Sequence, residues 1–107
     1  MEQNSNVGNK YTNITTNGLT SLPGKFILIA VVINKKGGSS NTVKIYDDVL
    51  NEETPEKLLA TIDSTANVQR LDYELPMFSG INVRTATGTA PDLTVIYRNM
   101  PSSNFVA

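Results

Sequence analysis

The side chains best suited to acid–base, nucleophilic or metal chemistry are scarce in this chain. It has no histidine and no cysteine. That removes Ser-His-Asp and Cys-His nucleophile sites and the common zinc sites. Two constellations remain. Asp47 with Asp48, and Glu52 with Glu53, are adjacent carboxylates. A glycosidase needs its two carboxylates held across a cleft, ~5–10 Å apart, whereas neighbours in one loop are solvated. These acids also lack the spaced Asp/Asn/Gly pattern of an EF-hand, so even a loose calcium site over residues 47–53 is not assigned. Ser39 and Ser40 follow Lys35 and Lys36 closely enough for a Ser-Lys pair. They fall in a glycine-rich turn with nothing to desolvate the lysine. No catalytic, cofactor-binding or metal-binding residue is assigned, and the chain reads as non-enzymatic.

Other ligand chemistries leave thin traces. No glycine-rich loop joins a strand to a helix, so no phosphate cradle is present. Lys35 and Lys36 stand without interleaved aromatics, and the formal net charge is −1. Neither nucleic acid nor an anionic membrane is an expected partner. Asn13-Ile14-Thr15 matches a glycosylation sequon, but residues 1–6 carry no basic or apolar signal region, so export is not expected. Four tyrosines could line a sugar site. Tyr73 and Tyr97 fall in register with core residues, and Tyr46 faces outward as the one plausible platform for a carbohydrate. Below the neutral total, charge is segregated. Five lysines and no acid lie between Gln3 and Tyr46, followed by six acids and one lysine from Asp47 to Asp63. The plain reading is that both stretches are solvated loops and outer faces; the sharper one is charge-complementary contact between neighbouring copies.

The elements that would position these residues are strands. Residues 26–33 are eight consecutive apolar residues, five of them β-branched, which favours a pleated strand. The run is too short to span a bilayer as a helix, which needs ~20 residues. Around it, Val43 and Ile45 alternate with Thr42, Lys44 and Tyr46. Leu58, Ala60 and Ile62 share a face; so do Leu71, Tyr73 and Leu75; so do Ile81 and Val83; and so do Leu93, Val95 and Tyr97. Period-two alternation marks half-buried strands. Tyr11 and Ile14 anchor a first edge strand, Pro76 ends the strand from residue 70, and residues 36–41 form a flexible hairpin connection whose glycines supply φ > 0. About seven short strands at this spacing predict an all-β antiparallel β-sandwich, jelly-roll or Ig-like. One domain over residues 10–99 is expected, with a polar arm over 1–9 and a tail over 100–107.

The inner set is then Phe26, Leu28, Ala30, Val32, Val43, Ile45, Leu58, Ile62, Leu71, Tyr73, Leu75, Ile81, Val83, Leu93, Val95 and Tyr97. Strict alternation leaves Ile27, Ile29, Val31 and Ile33 on the other face of the central strand, apolar and without a partner in the chain. An exposed apolar patch marks an interaction site. Partner contacts are therefore expected at Val7, Tyr11, Ile14, Ile27, Ile29, Val31, Ile33 and Tyr46, and at Phe105 and Val106 in the tail.

The order of motifs is familiar. An apolar strand leads into Lys36-Gly37-Gly38-Ser39-Ser40-Asn41-Thr42 and Val43-Lys44-Ile45-Tyr46-Asp47. Then come Leu59-Ala60-Thr61-Ile62-Asp63, Tyr73-Glu74-Leu75-Pro76, and Phe78-Ser79-Gly80-Ile81-Asn82-Val83. The block closes on Gly88-Thr89-Ala90-Pro91-Asp92-Leu93-Thr94-Val95-Ile96-Tyr97. This resembles small β-sandwich structural proteins of tailed-bacteriophage virions. The motifs set turns and core positions and specify no active site. The resemblance implies a virion protein made in the host cytoplasm, an auxiliary or decoration protein on the capsid. Its partners would be the major capsid protein or other virion proteins, with many copies or a homo-oligomer. A head-fibre, portal-region or tail component is the alternative, and a carbohydrate-binding module is the rival of another class.

Overall fold

The computed structural model describes residues 8–48, 57–66 and 69–101. The expectations for Val7, for the acidic segment past Asp48, and for Phe105 and Val106 lie outside these residues. Among the described residues eight strands run in order: β1 (Asn9–Ile14), β2 (Gly18–Pro23), β3 (Phe26–Lys35), β4 (Thr42–Tyr46), β5 (Leu58–Asp63), β6 (Gln69–Met77), β7 (Gly80–Ala86) and β8 (Asp92–Asn99). They form a front sheet, β1-β8-β3-β6, and a back sheet, β2-β7-β4-β5. Every pair is antiparallel.

The pairing is nested. β4 pairs with β5, β3 with β6, β2 with β7, and β1 with β8. The first four strands are thus laid antiparallel along the last four and rolled into two layers, with β3–β8 and β4–β7 closing the sheets. This is the eight-stranded jelly roll rather than the Ig-like alternative. The eighth strand is β2, which the alternation missed. Gly18, Ser21 and Pro23 are poor strand residues, and β2 holds its place at a sheet edge against β7. Pro76 does not end β6, which continues to Met77. An edge strand tolerates proline because one side of it needs no ladder donor.

The core fills the space between the sheets. Leu28, Val31, Ile33, Val43, Ile45, Ile62, Met77, Ile81, Val83, Leu93, Val95 and Tyr97 form its buried cluster, with Ile14 at one end. Each fully buried Leu, Ile or Val contributes roughly 1.5–3 kcal/mol relative to exposure. Phe26, Ala60, Leu71, Tyr73 and Leu75 pack against it. Phe26 meets Tyr97 edge-on, with ring centroids 5.0 Å apart, an arrangement that the ring quadrupoles favour.

The central strand corrects the face assignment. Leu28 pairs with Tyr97 and Ala30 with Ile96, so two steps along β3 match one along β8. The extra residue, Ile29, is a β-bulge. A bulge shifts the inward parity by one residue. Phe26 and Leu28 face the core before it, Val31 and Ile33 after it. Val31 and Ile33 are therefore core residues, not part of a spare face. Val32 is half-buried outside the cluster, and Ala30 lies opposite the outward Ile96. Leu58 also leaves the inner set: a register shift between Ile45 and Tyr46 ends the clean alternation of β5, and Leu58 is 37% exposed.

Residues 36–41 are not a hairpin, because β3 and β4 lie in different sheets. The segment crosses the end of the sandwich and is tied down there. Gly37 donates to Ser64 O (2.8 Å), and Gly38 exchanges backbone bonds with Thr89. Positive φ falls on Ser39 (55°) and Ser40 (66°), not on Gly37 or Gly38. Gly37 is needed for close approach instead: a Cβ there would stand 2.6 Å from Thr89 O. Asn41 and Ser64 are fully buried beneath this crossing. Ser64 Oγ donates within reach of Asn41 Oδ1 (2.6 Å), while Asn41 Nδ2 donates to Asn17 Oδ1 and Thr87 O, both at 2.8 Å. Four connections are joined by one amide.

Candidate interaction surfaces

Two surfaces present apolar side chains outside the core cluster. The first is the outer face of the front sheet. Core residues Leu93, Val95 and Tyr97 on β8 put Asp92, Thr94, Ile96 and Arg98 on the opposite face. The same parity places Tyr11 and Asn13 outward on β1, and Val32 and Asn34 outward on β3. Across the strands, Tyr11 lies opposite Ile96 and Ile96 opposite Ala30; Arg98 lies opposite Ile27, which lies opposite Pro76. Ile27, Ile29 and Val32 are half-buried, and Tyr11 is 67% exposed. The result is an apolar stripe over three strands. It is narrower than strict alternation implies: Val32 joins it half-buried, whereas Ile96, outward by parity, is only 7% exposed. Ile96 was detectable: it alternates with core residues Val95 and Tyr97.

One end of this face is polar. Asn13 and Asn34 reach over β8 from either side and meet at Asp92. Asn13 Nδ2 donates to Asp92 Oδ1 (2.7 Å) and to Leu93 O (2.7 Å). Asn34 Nδ2 donates to the same carboxylate oxygen (3.2 Å) and lies 2.8 Å from Thr94 Oγ1. The amide of Asn13, then that of Asn34, and the nearby Lys35 charge hold the Asp92 carboxyl below its ordinary range, because each favours the ionised form.

The second surface is the β6–β7 turn. Phe78 is 61% exposed at its tip. The turn is clamped by Asp47, whose carboxylate accepts from the backbone N–H of Phe78 (3.0 Å), Ser79 (2.8 Å) and Gly80 (3.3 Å). Asp47 N in turn donates to Lys57 O at 2.9 Å. Leu58 and Leu59, both partly exposed, follow directly. A rigid, exposed aromatic loses little entropy on docking, and such residues dominate interface energetics.

The sequence-expected contact residues therefore separate. Tyr11, Ile27 and Ile29 share the outer face of the front sheet. Ile14, Val31 and Ile33 are buried between the sheets, and Val7, Phe105 and Val106 are outside the described residues. Tyr46, expected to face outward, is instead buried, only 3% exposed, and offers no platform to a sugar. Asp47 is engaged with the turn and Asp48 is buried, so the pair is not a solvated carboxylate couple. Among the described residues, no group of three or more Asp or Glu side chains is placed to hold a metal ion. No protein-family model matches the chain, and no curated protein matches its sequence.

Proposed function

We propose that this chain is a non-enzymatic structural component of a bacteriophage virion, an auxiliary protein bound in many copies to the outside of the capsid. The observation that carries the reading is the nested eight-strand order of a jelly roll, an architecture used by viral capsid domains and by lectins. A fold alone does not choose between such uses. The resemblance of the strand and turn motifs to tailed-phage virion proteins favours the first. The contact surface in this reading is the end of the sandwich where β1 begins and β8 ends. Ile27, Ile29 and Phe78 lie toward that end, and apolar burial there supplies affinity at ~25 cal/mol per Å² before association costs.

Cryo-electron microscopy of the particle tests the proposal through position and copy number. Hundreds of copies over the shell are the expected result. A handful at one vertex would replace the decoration role by a portal, fibre or tail role. Absence from purified particles would end the virion reading. Ile27→Asp and Phe78→Ser should abolish incorporation while the isolated domain still unfolds cooperatively; normal incorporation of both would move the contact elsewhere.

A further inference from the structure

We infer that the outer face of the front sheet carries a carbohydrate-binding site centred on Tyr11, Asp92, Asn13 and Asn34, which takes a neutral pyranose. Tyr11 is the most exposed of the large apolar side chains among the described residues. Its ring adds little to the core, and it stands midway along the edge strand β1. Asn13 follows two residues later on the same face, about 6.8 Å along the strand. That is close to the width of one sugar ring. A pyranose presents an apolar C–H face, which stacks on an aromatic ring, and a rim of hydroxyls, each both donor and acceptor.

The polar end of the face supplies the matching rim. Asp92 Oδ1 takes both amide bonds, at 2.7 and 3.2 Å. The carboxylate is thereby fixed and kept ionised, and its second oxygen can accept charge-assisted bonds from sugar hydroxyls. Each asparagine uses its Nδ2 in these bonds and retains an acceptor oxygen. Both asparagines are exposed, and Thr94 adds a hydroxyl between them. The four polar residues come from three adjacent strands, so backbone pairing presets their spacing before any ligand arrives. Preorganised polar groups beside one apolar surface are what small-ligand recognition requires. A neutral sugar is favoured over an acidic one because the only carboxylate would repel a second.

The polar rim lies at the far end of the strands from Asn9 and Asn99, and Tyr11 lies midway along β1. The site stands independently of the virion proposal. The test is a titration of the isotope-labelled full chain, followed by amide chemical shifts, with a panel of neutral mono- and oligosaccharides (glucose, galactose, mannose and N-acetylglucosamine series). The expected result is saturable shifts confined to Tyr11, Asn13, Asn34, Asp92, Thr94 and their neighbours, with Kd near ~1 mM or tighter. Tyr11→Ala should weaken binding roughly tenfold or more without altering the fold, since the ring is exposed. Asp92→Asn should weaken it as well. Silence across the whole panel overturns the proposal, and so does binding that is unchanged by Tyr11→Ala.

Discussion

Single carboxylates and turn residues carry much of what is particular to this molecule. Asp63 and Asp92 both titrate below the ordinary value of 3.8. The Thr65 hydroxyl, then the Thr65 N–H, hold Asp63 down; the amides of Asn13 and Asn34 hold Asp92 down. A carboxyl whose folded pKa lies below its unfolded one adds stability that is present above the unfolded pKa and lost as the pH falls through the folded pKa. Stability should therefore hold steady down to about pH 5 and decline below about pH 4. Urea midpoints across that range should show a shallower decline in an Asp92→Asn, Thr65→Val double variant; an identical decline would mean other carboxyls govern it. Turn chemistry gives a second expectation. Ser39 and Ser40 both take positive φ, which costs a non-glycine residue about 1 kcal/mol or more. Ser40→Gly should raise stability by roughly 1 kcal/mol, read as a higher denaturation midpoint. A lower midpoint would show that Ser40 gains something the strain hides.

At the scale of elements, β3 shows how far sequence pattern reaches. Its existence and place at the centre were legible from eight unbroken apolar residues. Its faces were not. When every residue of a run is apolar, alternation is silent, and the bulge at Ile29 leaves no mark in residue type. Its position is set by two neighbours at once: β8 lacks the matching residue, and on β6 Glu74, at φ 119°, lies in the stretch that takes up a second register shift. The consequence is measurable. Ile33→Ala should cost about 2–5 kcal/mol as a buried truncation, whereas Ile29→Ala should cost roughly 1 kcal/mol because only half the side chain is covered. The sequence reading ranks the two residues as equals on one face. Equal losses in chemical denaturation would restore it and remove the bulge. The polar strands were easier. Leu71, Tyr73 and Leu75 alternate with Arg70, Asp72 and Glu74, and they pack inward as expected. The candidate sugar site divides in the same way. The sequence marks Tyr11 as a partner-contact residue but favours Tyr46 as the sugar platform, while Asn13, Asn34 and Asp92 meet only through the pairing of three strands.

For the whole molecule, the nested order decides how the chain must fold. Asn9 pairs with Arg98, and Ile14 with Leu93, so the outermost strands close the longest loop in the domain. Loop-closure entropy has to be met before those contacts return anything. β4 with β5 is the most local pair and β1 with β8 the least. Refolding should accordingly fall in the ms–s range typical of non-local β topologies, measurable by stopped-flow dilution from urea. In mutational analysis, β1 substitutions such as Ile14→Ala should speed unfolding and leave the folding rate nearly unchanged. A strong slowing of folding by Ile14→Ala would place β1 in the nucleus and contradict the inside-out order.

What the sequence determined alone is what alternation and turn residues encode locally: an all-β chain, two apolar inner faces, most core positions, and the lack of histidine or cysteine chemistry. The tertiary structure decided what depends on partners distant in the chain. It selected the jelly roll over the Ig-like order, because inner-face patterns are the same whichever strands are neighbours. It buried Tyr46, turned Val31 and Ile33 into the core, and converted an apparent glycine hairpin into a crossing held by Asn41 and Ser64. The physical reason is common to all four. Side-chain type reports whether a residue can be buried, while register, bulges and strand order report against what, and these are fixed only when separate strands meet.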